Sequence, residues 1–226
     1  MPERTRGAGF DRTERAVLAA AGELFDRKGF NQTSLQDIAD AVGMARSSLY
    51  YYYDNREKIL VAGIEELTTA RNTLNGAIRE MPRDPRARLD GLMVGLGELI
   101  SSHPLWIRVL LRDETALPEA TRQRDRDSRL EYFELLADTL REGMERGLFR
   151  PRDERATALT IISALTGLQG QYAAAAVTSL RNTTRLIVDV LLQGILADEP
   201  QPGPPLERGL DLIAQGVELI RRSAGG

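Results

Sequence analysis

Apolar residues recur every three or four positions along most of the chain, and no stretch alternates apolar with polar residues as a strand would. Val17, Ala20, Ala21, Leu24 and Phe25 fall at helical spacing and predict a first helix over about 13–28. Gly29 stops it, with Phe30 placed for the apolar contact that accompanies a glycine cap. A second helix starts at "TSLQDI", where Thr33 or Ser34 can cap and Gln36 or Asp37 follows three residues later; it ends near Val42 and Gly43. A short third helix covers about 45–51, and Asp54-Asn55 caps a long fourth that runs to about 80. "MPRDP" at 81–85 breaks the pattern, and helices follow near 86–102, 105–115, 118–146, 153–178 and 182–197. A proline-rich linker over 198–205 leads to a last amphipathic helix at 206–222, marked by Leu206, Leu210, Ile213, Val217 and Ile220. The expectation is an all-α chain with a small three-helix head and a larger C-terminal helical body.

Two short helices joined by a glycine turn and packed on a longer first helix make a helix-turn-helix. Ile38, Ala39 and Val42 line one face of the second helix, Gly43 supplies the freedom of the turn, and Leu49 faces back into the three-helix core. Four of the six tyrosines stand in a row at 50–53. Successive helical residues point about 100° apart, so no single face can use all four. Tyr53 is assigned to the core and Tyr52 to the contact between the third and first helices. Arg46, Ser47, Tyr50 and Tyr51 point outward. Arg46 suits a guanine edge, Ser47 or Ser48 a base or phosphate, and the two outer tyrosines the phosphate backbone. Arg56, at the start of the fourth helix, has a helix N-terminus beside it to help bind phosphate. With Thr33 and Ser34 at the start of the second helix, the candidate DNA contacts are Thr33, Ser34, Arg46, Ser47, Ser48, Tyr50, Tyr51 and Arg56.

Charge modifies this picture only locally. The net charge is −3, yet residues 1–60 hold nine basic and nine acidic side chains, so the deficit lies entirely in the rest of the chain. Of 30 basic residues 28 are arginine, which reads as the codon bias of a GC-rich bacterial genome. The absence of cysteine excludes disulfides, thiolate metal sites and cysteine nucleophiles. "MPERTRGAGFDR" has no apolar signal segment, and no run nears the roughly 18 apolar residues that span a membrane, so a cytoplasmic protein with no membrane partner is expected. The single histidine, His103, precedes Pro104 at a helix break and has no partner by spacing. With no G-x-S-x-G elbow, P-loop or carboxylate–histidine motif, no enzyme activity, catalytic residue, cofactor or metal is expected.

In the body, "TALTIISALTGLQGQYAAAAV" and "RLIVDVLLQGIL" are apolar on most sides, which marks a core or an interface, and the 153–178 and 182–197 helices are the candidate dimer surface. Gly91, Gly95 and Gly97 read as points of close helix packing, and the mixed run Arg122, Arg124, Asp125, Arg126, Asp127, Arg129 as a solvated face. Met93, Trp106, Tyr132, Phe133 and Tyr172 are candidate walls of a ligand cavity, whose aliphatic surroundings suit an apolar or amphipathic molecule.

Residues 13–60, through "AAGELFDRKGFNQTSLQDIADAVGMARSSLYYYYDNREKIL", resemble the DNA-binding head of the tetracycline-repressor (TetR) family of bacterial transcriptional regulators. The resemblance implies an all-α homodimer that binds double-stranded DNA at a palindromic operator and lets go when a small-molecule effector, here of unknown identity, occupies the body and moves the fourth helix. It implies a dimer interface in which the 153–178 and 182–197 helices form a four-helix bundle across a two-fold axis. The expected organisation is a flexible arm over 1–12, the DNA-binding domain at 13–60, the ligand-binding and dimerisation domain at 61–197, the linker and the extra helix. Two positions depart from the family pattern. Ala45 stands where a capping Ser or Thr is usual, a loss of about 0.5–2 kcal/mol, and Tyr53 stands where Phe is usual. The competing reading is a ligand-binding or interaction protein with a vestigial helix-turn-helix.

Overall fold

Glycines and side-chain caps set where the helices begin and end. The computed structural model describes residues 8–167 and 180–196. Among them the chain is all-α: α1 (Ala8–Lys28), α2 (Leu35–Ala41), α3 (Arg46–Leu49), α4 (Arg56–Glu80), α5 (Pro85–Ser102), α6 (Pro104–Asp113), a 3-10 turn (Glu114–Ala116), α7 (Glu119–Glu145), α8 (Glu154–Thr166) and α9 (Leu180–Ile195). One isolated antiparallel bridge joins Phe149 and Leu196. Among the described residues no helix is long and apolar enough to cross a membrane. The expectations for the 198–205 linker, the 206–222 helix, Tyr172 and the far end of the 153–178 helix lie outside the described residues.

Gly29 and Gly43 take the left-handed backbone at φ of 87° and 67° that their turns require. Asn55 Oδ1 accepts from the Lys58 N–H at 2.8 Å and opens α4, and Asp153 Oδ1 accepts from the Ala156 N–H at 2.7 Å and opens α8. α1 starts five residues before the sequence pattern suggests, so residues 8–12 are helical rather than part of a flexible arm. The extra turn has an anchor: the Phe10 ring stacks on Tyr52 at 4.6 Å. α3 is shorter than expected, since Ala45 offers no side-chain cap and Tyr50 and Tyr51 lie in the turn that follows.

The chain divides into two compact units, each drawn from more than one stretch of sequence. One unit comprises the described residues through Thr69 together with His103–Asp127; the other comprises Ala70–Ser102 and the described residues from Ser128 onward. The sequence order hides the reason, which is that α6 packs on α1. Arg108 grips the Asp26 carboxylate with two bonds of 2.9 and 2.7 Å. Arg112 donates to the Asp26 carbonyl at 2.8 Å and to the Phe25 carbonyl, which also accepts from the Gly29 N–H at 2.8 Å at the end of α1. Trp106 is buried against Gly22 and Gly63, its ring edge-on to Phe25 at 6.1 Å. α4 and α7 contribute residues to both units.

In the second unit α5 is the central element, burying Leu89, Leu92, Met93, Leu96, Leu99 and Ile100 and packing on α8 and α9. Gly91 and Gly95 permit close packing with α4, as expected. A Cβ at Gly91 would meet Ile78 and Met81 at 3.1 Å, and one at Gly95 would run into Leu74. The run around 122–129 is not wholly solvated. Arg122, Arg124 and Arg126 pair with Glu119, Glu65 and Glu114, but Asp125 is fully buried and accepts from the Thr68 hydroxyl at 3.3 Å.

Candidate nucleic-acid interface

α3 is held from behind by apolar contacts and presents polar groups in front. Leu49 is fully buried and Tyr53 nearly so, its hydroxyl donating to Glu14 Oε1 at 3.2 Å. That bond supplies the partner that a tyrosine in place of phenylalanine needs. Tyr52 is half-buried on Phe10, while Tyr50 and Tyr51 are 44% and 69% exposed. The four consecutive tyrosines therefore split between core, helix contact and surface as their angular spacing requires. Arg46, Ser47 and Ser48 are exposed beside the two outer rings.

Arg46 is the basic group of this surface. Its Nη2 donates to the Tyr50 hydroxyl at 3.0 Å, and its guanidinium lies 5.6 Å from the Tyr50 ring centre. Among the described residues Arg46 has no carboxylate partner, whereas Lys28 is paired with Asp37 at 3.0 Å and Lys58 with Asp54.

α2 is fixed by a reciprocal cap. Ser34 Oγ accepts from the Asp37 N–H at 3.1 Å, and Asp37 Oδ2 accepts from the Ser34 N–H at 2.8 Å and from its hydroxyl at 2.7 Å. The Ser34 hydroxyl and N–H, with Lys28 after them, hold the Asp37 carboxyl far below the usual carboxylate range. The stabilisation is thus present above the unfolded carboxylate pKa and is lost only as pH falls through the lowered value.

Three expected contacts have other tasks. Thr33 is fully buried and donates to the Gly29 carbonyl at 2.9 Å and the Leu24 carbonyl at 3.4 Å, so its side chain is not on the surface. The Ser34 hydroxyl is engaged in the cap. Arg56 is engaged with the main chain: Nη1 donates to the carbonyls of Phe30, Asn31 and Thr33 at 3.1, 2.9 and 3.0 Å, and the guanidinium stacks 4.6 Å from the Phe30 ring centre. It staples the α1–α2 connection to the start of α4. Arg56→Ala is accordingly expected to lower the stability of the chain by roughly 1–2 kcal/mol in a denaturant titration. The slope of log affinity for DNA against log salt should stay unchanged, where loss of a phosphate contact would reduce it by about one.

The candidate ligand walls do not come together as a set. Met93 and Tyr132 are buried in the second unit, with the Tyr132 hydroxyl donating to the Leu92 carbonyl at 2.8 Å and burial pushing its phenol well above the ordinary range. Phe133 is half-buried beneath the Arg155 guanidinium at 4.7 Å, itself doubly bonded to Glu134 at 2.9 Å. Trp106 belongs to the first unit and fills the α1–α4–α6 contact, because Gly22 and Gly63 leave room there for an indole. Sequence reading missed Asn75 and Ser128, polar residues buried in the second unit. A polar residue at an inward helical position is the signal that could have flagged them.

Residues 17–62 match the family model for bacterial regulatory proteins of the tetR family, and residues 82–195 match that for the tetracyclin repressor-like C-terminal domain. The chain is 34% identical over 105 residues to the HTH-type transcriptional regulator EthR of Mycolicibacterium smegmatis, covering 46% of this chain and 48% of EthR. It is 31% identical over 142 residues to the HTH-type transcriptional repressor KstR2 of Mycobacterium tuberculosis, covering 60% of this chain and 68% of KstR2. The solved structure of the ketosteroid transcriptional regulator KstR2 of M. tuberculosis superimposes with a TM-score of 0.74 at 20% identity, over 82% of this chain and 96% of that one. AibR, solved in complex with isovaleryl coenzyme A and operator DNA, gives 0.65 at 21% identity, over 80% and 96%.

Proposed function

From the premise that the chain belongs to the TetR family of bacterial regulatory proteins, and is a ligand-responsive DNA-binding regulator, we propose how it acts. It is a repressor that binds a palindromic operator as a homodimer through α3 and releases it when a small molecule occupies the second unit. The observation that carries the DNA-reading part is α3 with the turn after it, where Arg46, Ser47, Ser48, Tyr50 and Tyr51 are exposed together and Arg46 is not neutralised by a carboxylate among the described residues. Arg46 reads a guanine edge, and Ser47, Ser48 and Tyr51 fix the register on phosphates. Each α3 reads one half-site, so two copies must place theirs about 34 Å apart or a multiple of it.

The exposed Leu159 on α8 and Leu186 on α9 support an interface between copies through these two helices. Effector binding and operator binding oppose each other, and linkage requires the opposition to be mutual: operator DNA must weaken the effector by the same factor. The test is binding to labelled duplexes over a range of salt. Sequence-specific affinity that falls steeply with salt is expected; weak binding that ignores sequence would leave a vestigial head.

Tyr50 has a positioning role in this scheme, since its hydroxyl holds the Arg46 guanidinium. Tyr50→Phe keeps the ring and removes that acceptor. The expected result is a loss of about 0.5–1.5 kcal/mol in discrimination between the best and second-best base at the Arg46 position. Affinity for unrelated duplex should stay unchanged in the same fluorescence-anisotropy titrations. A uniform loss on all sequences would instead make Tyr50 a phosphate contact.

A further inference from the structure

Among the buried side-chain atoms of the second unit without a hydrogen-bond partner among the described residues, two on neutral side chains come from residues joined to each other. Asn75, on α4, is 1% exposed and Ser128, on α7, is 3% exposed. Asn75 Nδ2 donates to the Ser128 carbonyl at 3.1 Å, while Asn75 Oδ1 and Ser128 Oγ are both unsatisfied. The orientation of the amide is settled by this contact, because a main-chain carbonyl only accepts. Other helix hydroxyls in the same unit return to the carbonyl four residues back, Ser101 to Gly97 at 2.8 Å and Thr139 to Leu135 at 2.7 Å. Ser128 does not. One turn further along α7, Tyr132 is also buried but is satisfied by the Leu92 carbonyl. Buried polar groups in folded proteins are nearly always paired, so an acceptor and a hydroxyl left open on two linked buried residues require a partner from elsewhere.

The geometry points to Asn75 and Ser128 as the pair that binds a neutral donor–acceptor group of the effector, a hydroxyl or a carboxamide on an otherwise apolar molecule. Asn75 Oδ1 takes the ligand's O–H or N–H, and the Ser128 hydroxyl donates to the ligand's oxygen. Neither side chain carries charge, and the buried Arg71 one turn earlier on α4 is already engaged in an interaction of its own, so the pair itself suits a neutral group. The inference rests on the ligand-responsive reading above and deepens it.

The test uses the full chain without DNA, so failure to find an operator would count against the repressor scheme alone. Two isomeric probes, 1-hexanol and methyl pentyl ether, contain the same atoms, but only the alcohol donates a hydrogen bond. Isothermal titration is expected to show the wild type binding the alcohol about tenfold more tightly, with the preference lost in Asn75→Leu and in Ser128→Ala. No preference in the wild type, or the same preference in both variants, overturns the assignment. Thermal unfolding of the ligand-free chain gives a second reading. Ser128→Ala removes an unpaired hydroxyl and should raise Tm by about 2–4 °C. A fall of that size would show that the hydroxyl serves the fold, through a structural water, and would equally overturn it.

Discussion

Arg46→Ala is expected to cut affinity for the best operator by about 1–3 kcal/mol per half-site, roughly 5–150-fold, while binding to unrelated duplex changes little. The asymmetry follows from what the guanidinium does. Its fork matches the O6 and N7 acceptors of guanine, an interaction that a wrong base cannot reproduce, so removing it erases a difference between sequences. The side chain is held for this role by Tyr50 and has no described carboxylate to draw its charge away. Tyr51 provides the contrast. Its ring is supported edge-on by Phe10 and Tyr52 at 6.0 and 5.6 Å and its hydroxyl stands at the surface. Tyr51→Ala should therefore weaken binding to every duplex alike. Anisotropy titrations of both variants on the best site and on single-base changes of it distinguish the roles. If both variants lose affinity equally on all sequences, reader and positioner have been assigned wrongly.

Gly63→Ala is expected to destabilise the chain by about 2 kcal/mol, against the usual direction for glycine to alanine inside a helix. Helix propensity alone would favour alanine by about 1 kcal/mol. Here the new Cβ would run into the indole of Trp106, which is itself buried against Phe25 and Gly22 and has no room to retreat. Complete loss of a buried tryptophan side chain costs about 3–5 kcal/mol, and displacing it forfeits a large part of that, so the clash outweighs the propensity gain. Trp106 is the chain's only tryptophan, and its emission reports the event directly. A red-shifted spectrum together with a Tm lowered by about 4–8 °C is expected. An unchanged spectrum with a raised Tm would mean that the α4–α6 contact is looser than described.

What could be read in the sequence was local. Ser34 and Asp37 sit three apart, Gly29 and Gly43 stand where a chain must turn left-handed, and Asn55 precedes a long helical pattern. Each is a short-range signal: Ser34 with Asp37 and Asn55 open their helices, and Gly29 and Gly43 follow the ends of theirs, where the pattern placed them. The division of labour among the four tyrosines was likewise legible, because angular spacing on one short stretch decides it. What depended on distant partners was not. Arg108 and Arg112 lie more than eighty residues from the end of α1 that they hold, and nothing near them in sequence names Asp26 or Phe25. The neighbours of Trp106 are hidden for the same reason: Gly22 and Gly63 reveal themselves only by what they lack. The main-chain bonds of Thr33 and Arg56 are hidden in a related way. A threonine and an arginine beside a helix start suit a phosphate, and the main-chain carbonyls to which they donate have no signature in residue type.

The central claim is that two copies of α3 read a two-fold symmetric DNA site. Selection from random duplex DNA at near-physiological salt, with sequencing of the retained pool, tests it most directly. The account predicts an enriched palindrome whose half-sites are spaced by whole helical turns and carry a guanine whose enrichment disappears with Arg46→Ala. A folded, dimeric protein that enriches no sequence would contradict it.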